Sequence, residues 1–591
     1  MAHPGPILEG EFLRMLQRCM PPAGWPAKLA VAHSGGADST CLLYLLTQLT
    51  KAPPPSASAP TRAHALPREI LSLTVNHGLQ DASDGMARHC ARTARALGVP
   101  HRELRIPWGV APFPARPGSN PGTDGGAGAG GGAGATEGVA RDARYHVLVR
   151  AMAAGGADAI AFGHHADDQV ETALMRLARG SSVLGLAGMR RVRRWGMGMG
   201  KEEGDLGWAG ARGMGRWVVR PLLTVGKDRI LATCEKAGLE YVDDPSNFQP
   251  ELTLRNAVRQ MLERTAPAAG LPERLAEDLR TIVKRAESAD LPIPLDLSGS
   301  REELRGAILS FTEHAENIES QASAFISRHS VASPPSTFLF CTDRIQNMDD
   351  PVVNAAVLYR ILRYVSPAPW GSNVAEGRRR SEGIARLADR LWNTPAAAAQ
   401  AQAERHPFAS VGKVLWNPIR IGSDGRLRYE TPQPYERYGW IASRAPPSTR
   451  EPNPTVMDVT DKVAAALAAR AHPRVGDAHD AHASGALEVL YDNRFLLTFR
   501  LAAAPAALLP SLAAGHARIV VEPQSRWFWP RVVLRQTHPE PGDTTLASVP
   551  AQEMMWYSGN FRRRAAATAT PPGAEEDSWV DVRFIRVMND F

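Results

Sequence analysis

Ser34-Gly35-Gly36-Ala37-Asp38-Ser39 follows a short apolar run, Leu29 to Ala32, and precedes a second one, Cys41 to Leu46. That order reads as strand, glycine turn, helix. A helix N-terminus presents unpaired N–H groups and the positive end of its dipole, and glycines let backbone close around phosphate oxygens. The turn is therefore a candidate nucleotide grip. It lacks both the Gly-x4-Gly-Lys-Ser/Thr of the Walker loop and the Gly-x-Gly-x-x-Gly of dinucleotide folds. A plain Gly-Gly turn, with Asp38 or Ser39 capping the helix, is the alternative reading.

Working outward, strand-like and helix-like stretches alternate. Ile70 to Val75 reads as a strand ending at Asn76-His77-Gly78, Asp84 to Leu97 as a helix, and His101 to Ile106 as a third strand. Glu137 to Met152 reads as a helix, Ala159 to Gly163 as a short buried strand, and Asp168 to Leu177 as a helix with Val170, Leu174 and Leu177 on one face. The alternation predicts an α/β fold with a doubly wound parallel sheet. Two segments interrupt it: Pro112 to Thr136, a low-complexity run expected to be a flexible insertion, and Arg190 to Arg216, rich in Gly, Met and Arg. Beyond about residue 265 the pattern changes to helical stretches, Pro272 to Ala286 and Glu302 to Ser327, followed by Pro-punctuated mixed segments. The expected organisation is a domain over 1–265 with insertions at 112–136 and 190–216, then a mixed α+β half over 266–591.

Composition narrows the class. The 591 residues are 44% hydrophobic and 22% charged, which suits two to four globular domains, and the net charge of +7 suits a polyanionic partner. Five cysteines without a C-x-x-C pair give no disulfide framework and no Cys-rich zinc or iron–sulfur site. A reducing compartment fits them. No apolar run is long enough to span a membrane, so no membrane partner is expected. The N-terminus has acidic residues at Glu9 and Glu11 and gives no clear targeting segment, which leaves cytoplasm and mitochondrion both open.

Four more groups carry chemistry. His164-His165-Ala166-Asp167-Asp168-Gln169-Val170-Glu171-Thr172 follows the Ala159 to Gly163 strand, and residues just past such a strand face the ligand crevice of an open parallel sheet. Its imidazoles and carboxylates suit Mg²⁺ binding, ATP orientation or proton movement. Alternatively, Asp168 caps the helix and Glu171 closes a capping box. Glu137, Arg141 and Arg144 share one helical stripe, either as a site face or as a solvated ion-pair ladder. Asp243-Asp244-Pro245-Ser246-Asn247 reads as a turn leading to a basic helix with Arg255 and Arg259. At Asn76-His77-Gly78, His77 either contacts nucleotide or fills the core edge.

SGGADS resembles the PP-loop of the ATP pyrophosphatases. Taken together, SGGADS, VNHGLQ, EGVARDARY, GHHADDQVET, RLARGS, GLAGM, RPLL, DDPSN and LRNAVR resemble, in order and spacing, the tRNA(Ile)-lysidine synthases over roughly residues 28 to 260. That resemblance implies a Rossmann-like PP-loop domain that uses ATP with Mg²⁺ to join free lysine to C2 of the wobble cytidine in a CAU-anticodon isoleucine tRNA. It places Ser34, Gly35, Gly36, Ala37, Asp38 and Ser39 at the ATP phosphates and their magnesium. His165, Asp168 and Glu171, with Arg141 and Arg144, then lie around cytosine and lysine. The second block usually begins with Asp where this chain has Asn76. Tyr491-Asp492-Asn493-Arg494-Phe495 resembles a Trp-Asp-Gly-Arg-Phe run of bacterial members, and also reads as a hairpin with Asp-Asn at its turn. The C-terminal half is expected to grip the tRNA body, and an oligomer is possible. Competing readings are another PP-loop tRNA-modifying enzyme, such as a 2-thiocytidine synthase, and a catalytically inactive tRNA-binding protein.

Overall fold

The computed structural model describes residues 4–51, 66–79, 83–110, 113–116, 133–181, 183–197, 207, 209–242, 254–263, 273–288, 293–341, 350–376, 381–392, 406–421, 427–428, 437–447, 455–471, 485–538, 540–549 and 578–588. The chain divides into two compact units, one of residues 1–196 and 212–317, the other of 197–211 and 318–590.

The first unit begins with α1 (Glu9–Gln17), β1 (Lys28–Ala32), α2 (Ala37–Lys51), β2 (Glu69–Asn76), α3 (Ser83–Ala96) and β3 (His101–Arg105). It continues through α4 (Ala133–Ala154), β4 (Ala159–Ala161), α5 (Ala166–Ala178), α6 (Val183–Leu186), β5 (Val192–Arg194), β6 (Trp217–Val219) and α7 (Lys227–Lys236). The sheet order is β3-β2-β1-β4-β6-β5. The first five strands run parallel and β5 is antiparallel to β6. Both faces of such a sheet are covered by helices, so its central strands are apolar throughout: Leu29, Ala30 and Val31 of β1 and all three residues of β4 are buried. The chain winds outward from β1 to β3, then returns to the other side of β1 as β4. The carboxyl ends of β1 and β4 thus flank a topological switch point, where ligands enter α/β sheets. The expected doubly wound sheet is present.

Helices α8 (Leu254–Glu263), α9 (Glu273–Ser288) and the start of α10 (Arg301–His329) complete this unit. Val258, Leu279, Ile282, Leu304, Ile308 and Phe311 form one apolar cluster with Val170, Leu174 and Leu177 of α5. The first unit therefore continues to 317, past the expected boundary near 265, because α5 needs those helices to cover its apolar face. The Arg190 to Arg216 run is also less of an inserted loop than its composition suggests. Residues 192–194 form the edge strand β5, and Trp195 N donates to Arg216 O at 2.8 Å. Most of Pro112 to Thr136 lies outside the described residues, but Phe113 is buried against Ile106 and Ala143 and stacks on His146 at 4.6 Å, so the expected loop starts with a packed anchor.

The second unit holds β7 (Ser330–Val331), β8 (Phe338–Cys341), α11 (Pro351–Val365), α12 (Asn373–Glu376), α13 (Ser381–Leu391), β9 (Phe408–Ser410), β10 (Val414–Ile421), β11 (Leu427–Arg428) and β12 (Arg437–Arg444). After these come β13 (Met457–Asp458), α14 (Thr460–Ala471), β14 (Ala486–Tyr491), β15 (Phe495–Arg500), α15 (Leu508–Ala513), β16 (Ala517–Pro523), β17 (Pro530–Gln536), β18 (Gly542–Ser548) and β19 (Val580–Phe584). Its strands pair antiparallel in three sheets, β11-β10-β12-β8-β7 with β9 beside β10, β13-β16-β17-β18, and β14-β15-β19. The mixed α+β half is as expected. The hairpin at 491–495 is present too: Asp492 and Asn493 take φ of 50° and 53°, the left-handed pair of a primed turn. Among the described residues, no helix is long and apolar enough to cross a membrane.

Candidate functional site

Gly35 takes φ of +86°, and a Cβ there would stand 3.1 Å from Cys90 Sγ, so the turn after β1 needs glycine both for its backbone and for its room. Ser39 Oγ closes the loop on itself. It donates to Gly36 O at 3.1 Å, accepts from Ser34 N at 3.1 Å and lies 3.1 Å from Ser34 Oγ. Val242 N donates to Gly35 O at 2.9 Å from the far side. Ala37 and Asp38 then open α2, with Asp38 in the first turn.

The end of β4 comes close to this loop because residue 163 has no side chain. A Cβ on Gly163 would lie 2.9 Å from Asp38 C, 3.0 Å from Asp38 O and 3.0 Å from Ser39 N, all backbone atoms that cannot swing away. Gly163→Ala is expected to cost about 1–3 kcal/mol by forcing the end of β4 away from the first turn of α2. Thermal melts beside ATP titrations should show both quantities falling together.

His165 is the N-cap of α5, and its backbone N–H donates to Asp168 Oδ2 at 3.0 Å. The helix is therefore capped three residues earlier than the Asp168–Glu171 box expected from sequence, which frees Glu171 for another task. Around the His165 ring stand three carboxylates: Asp38 at 3.6 Å, Asp167 at 3.4 Å and Asp168 at 3.5 Å. Burial works against its charge, but Asp168, Asp167 and Asp38 overcome that and raise the imidazole to about 9. His165 is an imidazolium at neutral pH. It cannot then serve as the general base; it supplies positive charge. The Asp168 side chain is 13% exposed; its burial works against the charge, yet the His165 and His164 rings hold its carboxyl down to about 2.

Its neighbour His164 has the opposite character. Burial, then Arg220, holds His164 down at about 3, and its Nδ1 accepts from Arg220 Nε at 3.2 Å. Two adjacent imidazoles thus differ in charge because one faces carboxylates and the other a guanidinium.

Glu171 is buried and paired with two arginines of α8. Arg259 Nε donates to Oε1 at 2.8 Å, and Arg255 Nε lies 3.2 Å from Oε2. Burial and the Asp168 charge push its carboxyl up, opposed by Arg259 and Arg255. Arg255 and Arg259 belong to the LRNAVR block, which is how that block joins the site; Asp243 to Asn247 before it lie outside the described residues. Arg141 and Arg144 come together around Tyr145, with Arg141 Nη2 donating to the phenol at 3.1 Å and the two guanidiniums 5.3 and 5.8 Å from the ring centre. Burial raises the Tyr145 phenol, and Arg141, Arg144, Arg220 and Arg193 outweigh it to lower the group. Tyr145 also meets Phe162 and Trp195 edge-on. The side chain of Glu137 is not among those described.

Sequence reasoning missed four cations. Lys227 Nζ donates to Asp38 Oδ1 at 2.6 Å from the first residue of α7, and Lys227 N donates to Asp167 Oδ2 at 3.0 Å. Arg305 of α10 clamps Asp167, with Nη2 at 2.8 and 2.9 Å from its two oxygens and Nε at 3.0 Å. Arg193 and Arg220 face Tyr145. Arg220 begins RPLL, the one sequence signal that pointed toward any of them.

Asn76 does not reach for a nucleotide in this arrangement. Its amide donates to Asp84 Oδ1 at 2.7 Å and Glu103 Oε1 at 3.0 Å, while its carbonyl accepts from Gly78 N at 3.0 Å. An aspartate at 76 would set a third carboxylate against two. Asn76→Asp should lower the urea midpoint at pH 7, with the deficit shrinking toward pH 4 as the carboxyls protonate.

Residues 9–266 match the PP-loop domain. The tRNA(Ile)-lysidine synthase of Bradyrhizobium sp. is 34% identical over 285 residues, which is 48% of this chain and 64% of that protein. The enzyme of the same name from Pseudomonas aeruginosa is 32% identical over 288 residues, 49% of this chain and 52% of that protein, and one from Rhodopseudomonas palustris is 34% identical over 47% and 66%. The chain spans less than two thirds of the length of these relatives. A solved structure, the U34-tRNA thiolase NcsA from Methanococcus maripaludis with its [4Fe-4S] cluster, aligns at 17% identity and a TM-score of 0.29, covering 49% of this chain and 84% of that one. Residues 9–266 are a PP-loop domain, and the part of the chain that carries it is similar to the tRNA(Ile)-lysidine synthases.

Proposed function

We propose that this chain is an ATP-dependent ligase that joins lysine to C2 of the wobble cytidine in an isoleucine tRNA with a CAU anticodon. The observation that carries the reading is the switch point itself: the β1 and β4 ends bring Asp38 to 3.6 Å from His165, inside a domain whose relatives bear that name. Cytosine O2 attacks the α-phosphate, pyrophosphate leaves, and the base is adenylated. The lysine ε-ammonium then gives a proton to a carboxylate of the site, the freed amine attacks C2, and AMP departs with the former O2.

Each group has a part suited to its environment. The N–H groups of the Ser34 to Ser39 loop hold phosphate oxygens, and Arg141, Arg144, Arg193 and Arg220 supply positive charge for the phosphoryl group. Asp38 already holds a primary ammonium, that of Lys227. It is therefore fitted to receive the ε-ammonium of free lysine, with Lys227 giving way. Glu171, fixed by Arg255 and Arg259, orients the other side of the pocket. Asp168 offers the hard oxygen donors that Mg²⁺ prefers, whereas Asp38 is paired with the Lys227 ammonium and both oxygens of Asp167 are engaged by Arg305 and Lys227 N. When bound, Mg²⁺ neutralises the triphosphate. The flipped cytosine would stack among Tyr145, Phe162 and the arginines beside them.

The test is incubation of the full chain with isoleucine tRNA transcript, ATP and labelled lysine. Label in the tRNA with AMP and pyrophosphate released supports the reading. Transfer of sulfur in place of lysine would point to a 2-thiocytidine synthase, and tRNA binding without turnover to an inactive binding protein.

A further inference from the structure

Immediately before the phosphate loop stands a buried histidine that the chemistry at Asp38 and His165 does not use. The ring of His33 bridges two hydroxyls that are themselves out of water: Nδ1 lies 3.3 Å from Ser72 Oγ of β2, and Nε2 lies 3.3 Å from Thr40 Oγ1 of α2. Ser72 in turn meets Nδ1 of His101, its register partner on β3, at 3.0 Å. Burial, then His101 and His89, holds His33 down at about 3, so the ring is neutral and carries a single N–H. Burial also lowers His101.

This row of bonds runs in one direction. Thr40 Oγ1 donates to Gly35 O at 3.5 Å, and a carbonyl has no hydrogen to give back. The Thr40 oxygen therefore accepts from His33 Nε2–H, which leaves Nδ1 to accept from the Ser72 hydroxyl. Ser72 Oγ then accepts from His101 Nδ1–H. The tautomer of each ring follows from the carbonyl at the end of the row.

That carbonyl belongs to the left-handed glycine of the loop, and Val242 N takes its other lone pair at 2.9 Å. In a trans peptide the next N–H points the opposite way, so whatever fixes Gly35 O also aims Gly36 N–H. A helix threonine commonly turns its hydroxyl to the carbonyl four residues back, which for Thr40 is Gly36 O. His33 selects the Gly35 direction by occupying the Thr40 oxygen with its N–H.

We propose that His33 is a positioning residue for ATP, acting through Thr40 to hold the Gly35–Gly36 peptide in the orientation whose N–H binds a phosphate oxygen. It touches no substrate itself. The proposal rests on the reading of the loop as the ATP grip, and not on the identity of the co-substrate.

The experiment uses the full chain with Mg²⁺ and α,β-methylene ATP, its affinity read by calorimetric titration beside kcat and the KM values for ATP and lysine. His33→Leu and Thr40→Val should each weaken the analogue about fivefold and raise KM for ATP to match, with KM for lysine unchanged. Because the two act in series, the double variant should bind within about twofold of the weaker single one. His33→Gln keeps an N–H donor for Thr40 and should stay within about twofold of the parent. Thr47→Val is the control, since it removes another buried hydroxyl of α2, one that donates to Leu43 O at 2.7 Å, and it should leave the affinity unchanged. Binding within about twofold of the parent by His33→Leu, losses that multiply in the double variant, or a Gln variant as weak as the Leu variant would each overturn the proposal. Should His33→Leu not fold, Thr40→Val decides: a loss of about fivefold supports the role, and one under about twofold overturns it. Lysine incorporation is measured on the same samples. A His33→Leu binding defect in a parent that incorporates no lysine would keep this role and remove the proposed activity, whereas full incorporation with undiminished His33→Leu binding would do the reverse.

Discussion

Asp38→Ala is expected to reduce lysine incorporation by about 10³-fold or more while leaving tRNA affinity nearly unchanged. Asp38 touches Lys227 at 2.6 Å and His165 at 3.6 Å. Its loss would leave the Lys227 ammonium without its carboxylate, reduce the charge that keeps His165 protonated, and remove the group proposed to receive the ε-ammonium. None of these acts on the tRNA backbone. Steady-state incorporation beside filter binding separates the two effects, and near-normal turnover would remove Asp38 from the chemistry.

His165→Gln should lower turnover about 10²-fold or more and change the shape of the pH profile. The folded chain raises the imidazole from its ordinary 6.5 to about 9. In the folded chain the ring keeps its charge until the pH approaches that raised value and loses it as pH rises through it. Turnover in the parent should therefore hold through neutral pH and fall across about pH 9 as the imidazolium deprotonates. The glutamine variant keeps a polar group without a titrating charge, so that limb should flatten. An identical alkaline limb in both proteins would assign it to another group, such as the incoming lysine amine.

Much of the site was legible in sequence because its parts lie at element ends. A glycine turn between an apolar strand and an apolar helix has one simple reading, and residues just past a buried strand point to the crevice. SGGADS and GHHADD could thus be placed at a shared site, where Asp38 and His165 now stand. Distance along the chain hid the rest. Lys227 is 189 residues from Asp38, and Arg305 is 138 residues from Asp167; no local pattern pairs them. Arg193 was obscured differently, since a three-residue edge strand inside a Gly, Met and Arg-rich run has no periodicity to read. The capping of α5 was misplaced because Asp167, Asp168 and Glu171, close together in DDQVE, allow several boxes, and only the geometry shows that His165 N takes Asp168. In the second unit the Tyr491 to Phe495 hairpin was readable, but its buried arginines are gathered from α11, β12, the turn before β15 and the chain beyond β19.

The most direct measurement is the mass of the anticodon fragment recovered from isoleucine tRNA transcript after incubation with the full chain, ATP and lysine. The account predicts a fragment heavier by one lysine less one water, located at the wobble cytidine, and dependent on ATP. An unchanged fragment from a folded chain that binds the transcript, or a mass gain that needs no ATP, would contradict it.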